Sequence, residues 1–535
     1  MHKQKIKTKI LKSIESNKLY FGCTFYLEEQ TWYRVQNSTF DNCSFRSNIK
    51  FDDLKDSRFI NCGFSGEFAL DLSKNESNFP SYVLDLVSLT KLIISGKNLK
   101  ELPLEICELT FLTMLDLGYN KLQSLPREFK KLDQLRWLNL SNNLFKVIPS
   151  EIYSLSSLRS LSLANNKITQ LSDRVAQLKK LEKLYIASNE LESIPRALGE
   201  INSLEELHLS RNRLSKIPAE IGELVNLDCL YLSHNKLTSL PKELGKLKSL
   251  RWLYLSQNCL SEIPGEFSEL HSLRWLYVNR NSLQGLSFNL EKLVSLTKLY
   301  ISHNQITSLP EGIKNLTSLR EFYAGQNELN EIPKQIGYLE KLREFNINDN
   351  NIDSLPDEIC KLRNLRKVDM DNNKISKLPR GFSSLKKLTK LALIGNELSE
   401  IPKQVFFLKS LVNLHLQNNK IISIPQEIGQ LTRLKVFEIS RNRITKLPFT
   451  IEQLTSLVTI DLNSNFLQDI PKEIGKLKSL SSLNLYDNEL NQLPEQIKEL
   501  SSLSTLIVGE NDLEPFQIQQ LEKLLPQCLV CLEEL

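Results

Sequence analysis

The stretch Leu227-Asp-Cys-Leu230-Tyr-Leu232-Ser-His-Asn235-Lys-Leu237-Thr-Ser-Leu240-Pro241-Lys-Glu-Leu244-Gly-Lys-Leu247 decides the reading of this chain. Leu230 and Leu232 flank Tyr231, the alternation of a strand with one buried face. Asn235 follows, where its amide can bond turn backbone and the adjacent coil. Pro241 then holds the backbone while Leu244 and Leu247 turn back inside, which leaves room only for a short helical or 3-10 turn. Outward from this stretch the frame recurs, with an asparagine every 23 residues from Asn120 to Asn511, eighteen times and without insertion or deletion. A fixed period of that length marks a stack of coils, each burying its apolar side against its neighbours.

The frame L-x-x-L-x-L-x-x-N-x-L followed by L-P-x-E-I-G-x-L resembles the leucine-rich-repeat family, and the resemblance runs from about Leu86 to the C-terminus. It implies an α/β solenoid, a horseshoe with a parallel β-sheet on the concave face and short helical or 3-10 turns on the convex face. About 19 repeats occupy 89–513, the first starting at Leu89 and the last at Leu503. A degenerate entry repeat spans 67–88, where Leu70, Leu72, Asn75, Phe79, Pro80, Val83 and Leu86 fit the frame one residue short. Residues 514–535 form a C-terminal cap, with a helix starting at Pro515 whose Phe516, Leu521, Leu524 and Leu525 are near helical spacing. Ser172 and Ser287 replace the proline in two repeats and read as local backbone variations. The lone pair Cys528 and Cys531 lacks both a redox context and two further metal ligands, and reads as cap packing.

Residues 1–66 follow another rule. Large apolar residues recur every five positions at Tyr20, Phe25, Val35, Phe40 and Phe45, and again at Ile49, Leu54, Phe59 and Phe64, with a gap at Gln30. Cys23, Ser38, Cys43, Ser57 and Cys62 sit two residues before many of them. This resembles the pentapeptide-repeat family, which implies a four-sided β-helix with these residues inside; an irregular cap is the alternative. Either would cover the apolar end of the stack. The lysine-rich residues 1–18 read as helical or frayed.

Composition excludes several classes. Apolar residues make up 41% and charged residues 24% of the chain, ordinary for a globular protein. A net charge of +5 is too small for nucleic acid to be the main partner. No apolar run approaches a membrane span, and the basic start lacks the apolar core of a secretory signal. Nine cysteines scattered almost singly suit reduced thiols. The expected location is the cytoplasm, with export without a cleaved signal, as for an effector, as the alternative. No phosphate loop or nucleophile elbow is present, so the chain reads as a non-enzyme needing no cofactor.

With each repeat numbered from its first leucine, positions 2, 3, 5, 7 and 8 face outward. Position 5 carries Tyr185, His208, Tyr231, Tyr254, Tyr277, Tyr300 and Tyr323 in seven consecutive repeats. Position 3 adds Trp137, Trp252 and Trp275, and position 2 adds Arg251, Arg274, Arg320, Arg343 and Arg366. Tyrosine, tryptophan and arginine join a large apolar area to a polar tip and are enriched in protein-binding hot spots. At ~4.8 Å between strands the row would span roughly 30 Å, enough for one standard interface. The competing explanation is stacking alone, since rings on adjacent strands stabilise one another. Glu182, Glu205, Glu206 and Asp228 beside His208 and Cys229 read as solvated rather than metal-ligating. Asp349, Asp369 and Asp371 near Arg343 and Arg366 read as a polar rim. His234 and His303 share one repeat position three coils apart, too distant to act together.

The repeat variant resembles bacterial families such as those of spirochaetes, and Ras-group-related scaffolds. The first implies binding to host-cell or surface proteins and the second the assembly of signalling proteins. The expected function is a non-enzymatic scaffold or effector, monomeric, binding a protein partner on the concave face. The alternative is a passive or self-assembling solenoid that dimerises through an edge or cap.

Overall fold

A computed structural model describes residues 3–28, 31–54, 56–72, 83, 86–286 and 289–533. Gln30, Asn75, Phe79, Pro80 and Ser287 lie outside these. The chain falls into two compact units, Met1–Cys259 and Leu260–Leu535.

The first unit begins with coiled parallel strands: β1 (Gln4–Lys7), β2 (Ile10–Leu11), β3 (Lys18–Phe21), β4 (Thr24–Phe25), β5 (Trp32–Arg34), β6 (Thr39–Asp41), β7 (Ser44–Phe45), β8 (Ile49–Asp53), β9 (Arg58–Ile60), β10 (Gly63–Phe64) and β11 (Phe68–Asp71). They form three sheets, β1-β3-β6-β9, β2-β4-β7-β10 and β5-β8-β11. Registry places Tyr20, Phe40 and Phe59 in one column and Phe25, Phe45 and Phe64 in another. The rings stack at 4.6–4.9 Å within each column. Residues five apart in sequence thus lie on successive sides of a coil, and Cys23 and Cys43 are buried beside them.

The helical or frayed reading of residues 1–18 is overturned, since β1 and β2 are strands. Lys5 and Lys7 alternate with the half-buried Ile6, and among the described residues β1 pairs only with β3. Lysines on an outermost strand discourage pairing with another chain. Partner strands, not local propensity, set this conformation.

The third sheet continues into the repeats, where β11 pairs with Lys91–Ile93. Within each unit every repeat contributes a three-residue strand with a buried centre, such as Lys183–Tyr185, in register with the next. After the strand comes a proline-led 3-10 turn, for example Lys242–Lys246 behind Pro241. Glycine inside these turns allows close stacking, because a Cβ on Gly222 would lie 2.3 Å from the Glu243 carbonyl oxygen. In the second unit Phe406 stands at that position, and it lines a cleft of about 240 Å³ with Ile401, Phe407 and Pro425.

In the first unit the same position holds the buried Tyr153. The Arg174 guanidinium lies 5.1 Å above its ring. Arg174 belongs to the turn Asp173–Gln177, which Ser172 opens in place of proline. Ser172 also caps its turn, its Oγ accepting from the Arg174 N–H at 3.3 Å.

The asparagine column binds coil to coil. Asn143 Oδ1 accepts from the Leu122 N–H at 2.9 Å, and its Nδ2 donates to the Leu117 and Leu140 carbonyls at 2.9 and 3.1 Å. The residue before each asparagine is held at positive φ, as at Arg211 (56°), His234 (58°) and His303 (55°). That position turns the chain out of the strand, which explains why the two histidines recur there.

At the C-terminal end of the second unit, helix α1 (Pro515–Leu524) buries Leu521, with Leu525 just beyond it, but leaves Phe516 65% exposed. A strand, Leu529–Cys531, then pairs with Thr505–Ile507, so Cys531 extends the sheet.

Candidate functional site

In the first unit Tyr185, His208, Tyr231 and Tyr254 occupy facing places on four adjacent strands. The rings follow one another at 4.5, 3.9 and 4.4 Å between centroids, and the last two contacts are stacked. All four remain half-buried, so each keeps an open edge. The Tyr185 hydroxyl donates to Glu206 Oε2 at 2.6 Å, and Lys183 Nζ reaches Glu206 Oε1 at 2.6 Å. Burial and this carboxylate raise the Tyr185 pKa. Burial between rings lowers that of His208 to about 4, so it is neutral at physiological pH. Arg251 pairs with Asp228, and its guanidinium lies 4.5 Å above the Trp252 ring.

In the second unit Tyr277, Tyr300 and Tyr323 face one another on three adjacent strands, with centroids 4.4 and 4.5 Å apart. Tyr300 donates to Glu321 at 2.6 Å and Tyr323 to Glu344 at 2.5 Å. Lys298 Nζ shares Glu321 Oε2 with the Tyr300 hydroxyl at 3.1 Å, and Lys367 Nζ holds the other oxygen of Glu344 at 2.8 Å. Lys298 also lies 4.8 Å above the Trp275 ring. Arg274 and Arg320 are exposed beside this row.

The expected rings therefore all lie in strands, Trp137 included, and Arg251, Arg274 and Arg320 each stand one residue before a strand. Glu206, Glu321 and Glu344 were missed as partners of the tyrosines. Their signal is a carboxylate 21 residues after a position-5 tyrosine, which in-register stacking brings alongside. The acidic neighbourhood of the first unit is largely paired, Glu182 with Arg159, Glu206 with Lys183 and Asp228 with Arg251. Cys229 is buried and its thiol is pushed up to about 12. Among the described residues no group of three or more His, Cys, Asp or Glu is placed to hold a metal ion. None of their helices is long and apolar enough to cross a membrane.

Family profiles described as leucine-rich repeat region match residues 127–215 and 241–351. Those described as leucine rich repeat match 87–145, 340–398, 387–444, 409–467 and 455–513, and a two-copy profile matches 202–246. No curated protein matches at the level of sequence. Among solved structures, a leucine-rich-repeat protein of Leptospira interrogans is 31% identical, with a TM-score of 0.60 over 85% of this chain and 98% of that one. A plant peptide hormone receptor, RGFR1 in complex with RGF2, is 27% identical with a TM-score of 0.68 over 92% and 89%. YopM from Yersinia enterocolitica is 26% identical with a TM-score of 0.64 over 83% and 88%. Asparagine column, three-residue strands, proline-led turns and these matches agree, and the chain belongs to the leucine-rich-repeat family.

Proposed function

We propose that this chain is a non-catalytic protein-binding solenoid whose strand face receives a protein or peptide partner through its aromatic rows. The observation that carries this reading is the preparation of the rings. Each lies against a neighbouring ring, and Tyr185, Tyr300 and Tyr323 are further held by a carboxylate from the next strand, yet their edges stay open. Rings already ordered lose little freedom on binding, which favours affinity. Stacking stabilises the fold too, by about 0.5–1.5 kcal/mol per pair, but stability alone does not call for tryptophan and arginine beside the row. The RGFR1 structure, a receptor holding a peptide hormone, supports a peptide-sized occupant.

The test is capture of proteins from lysate on the immobilised chain. Tyr185→Ala with Tyr231→Ala and Tyr254→Ala in one variant, and Tyr277→Ala with Tyr300→Ala and Tyr323→Ala in another, are compared with wild type. The variant carrying the binding row is expected to lose about 100-fold in affinity or more, at ~1–2 kcal/mol per hot-spot ring. Unchanged capture by both variants, with circular dichroism unaltered, would sink the proposal.

One observation favours a second reading, association through the C-terminal cap. Phe516, Leu529 and Leu532 are 65%, 60% and 49% exposed there. If that reading holds, light scattering shows a concentration-dependent dimer that Phe516→Ser with Leu529→Ser dissolves. A monomer at all concentrations removes it.

A further inference from the structure

Position 2 of the second unit carries a column of like charge. The backbone hydrogen bonds run unbroken from strand to strand: Thr297 N–H to Arg274 O, Arg320 to Thr297, Arg343 to Arg320 and Arg366 to Arg343, at 2.7–2.8 Å. Arg320, Arg343 and Arg366 therefore leave from directly adjacent places ~4.8 Å apart, and Arg274 extends the column to about 19 Å. All four are exposed. Among the described residues none of these guanidiniums meets a carboxylate. The same position behaves otherwise in the first unit, where Arg159 pairs with Glu182 and Arg251 with Asp228.

Like charges side by side on neighbouring strands repel. The column therefore carries a cost that the fold does not need, since opposite charges at this position are compatible with the same coil. The nearby carboxylates do not relieve it: Glu321 and Glu344 are engaged by Lys298 and Lys367 and by the tyrosine hydroxyls. Asp349 receives a hydrogen bond from Asn372, and Asp371 one from the Ile394 N–H. The expected polar rim is thus not formed of Arg–Asp pairs.

We infer that the column Arg274, Arg320, Arg343 and Arg366 receives an acidic segment of a protein partner, laid across the strands beside Tyr277, Tyr300 and Tyr323. This rests on the reading of the strand face as a protein-binding surface. Guanidinium groups accept carboxylates through paired donors, and the adjoining rings suit apolar residues between the acidic ones. A nucleic acid fits less well. Its unbroken phosphate charge would have to pass Asp369 and Asp371 on the same face, whereas a peptide can set neutral residues there.

The test uses the full chain and a labelled oligoglutamate peptide of about ten residues, long enough at ~3.4 Å per residue to span the column. Fluorescence anisotropy is expected to show binding that weakens as salt rises. Arg320→Gln with Arg343→Gln and Arg366→Gln should bind about tenfold more weakly, the sum expected of three exposed charge pairs. Lys334→Gln with Lys403→Gln and Lys472→Gln removes the same charge from the 3-10 turns and should change little. The inference is overturned by no binding at low salt, by equal loss in both variants, or by a single-stranded oligothymidylate of equal charge binding more tightly than the peptide. Such a result leaves the broader function standing if capture of a lysate protein still depends on the tyrosines.

Discussion

Asn212→Ala lowers the stability of the first unit by about 2–4 kcal/mol, the cost of stranding one buried N–H and losing two further hydrogen bonds. Asn212 is 8% exposed. Its Oδ1 accepts from the Leu191 N–H at 3.0 Å, and its Nδ2 donates to the Ile186 and Leu209 carbonyls at 3.1 and 3.0 Å. Alanine orphans the Leu191 N–H and takes one of two asparagine donors from each carbonyl, since Asn189 Nδ2 still reaches the Ile186 carbonyl at 3.2 Å and Asn235 Nδ2 that of Leu209 at 3.0 Å. Two of the three lie in the preceding coil, so the loss falls on the interface between repeats, where the stability of a stacked protein resides. Asn212→Asp sharpens the test. A carboxylate still accepts from Leu191 but sets its second oxygen against two carbonyls, so at neutral pH it should cost more than alanine. That excess should shrink on acidification, because a protonated carboxyl can donate again. Denaturant midpoints at neutral and acid pH read both effects, and a loss below about 1 kcal/mol for Asn212→Ala would refute the account.

Asp371→Asn is expected to stabilise the second unit in alkaline but not in acid solution. Burial and then the charge of Asp369 lift the Asp371 carboxyl from 3.8 to about 7. Between those two values the folded chain holds a proton that the unfolded chain has released. Stability therefore falls as pH rises through that window, and above about 7 the charged form is buried in full. An asparagine keeps an oxygen for the Ile394 N–H, which now reaches Asp371 Oδ1 at 2.6 Å, and carries no charge. The groups around it are Asp369, Lys390 and His415, with Glu438 held by His415 at 2.6 Å. Thermal unfolding at pH near 8 should show a clear gain over wild type, and near pH 4 almost none. An equal gain at both would place the origin in packing rather than in charge.

Much of the fold was legible because the repeat is local and strict. Leucines on either side of one outward residue specify the strand, and the constant interval fixes which residues of successive coils face each other. The row from Tyr185 could be named on that basis, and the strands do place its members side by side within each unit. The glutamates holding the hydroxyls were equally present in the chain, but they become partners only once in-register pairing sets position 3 of one strand beside position 5 of the strand before. The opening lysines were misread because four residues carry little intrinsic preference, and sheet partners decided their state. Phe516 shows the reverse limit: the helix formed where its proline indicated, yet helical spacing did not say which apolar side chains would find a surface.

The chain by itself determined the phase, and with it the identity of every outward side chain from Leu89 onward. That information is short-range, written in alternation and period, and needs no knowledge of distant contacts. Only the tertiary structure decided the charge state of the face. Whether an arginine meets a carboxylate, whether a tyrosine hydroxyl is held, and whether Asp371 keeps its proton depend on what the next coil brings within a few ångströms and on how much water remains. Arg251 and Arg320 stand at the same repeat position; one is neutralised by Asp228 and the other stands exposed in a column of its own kind.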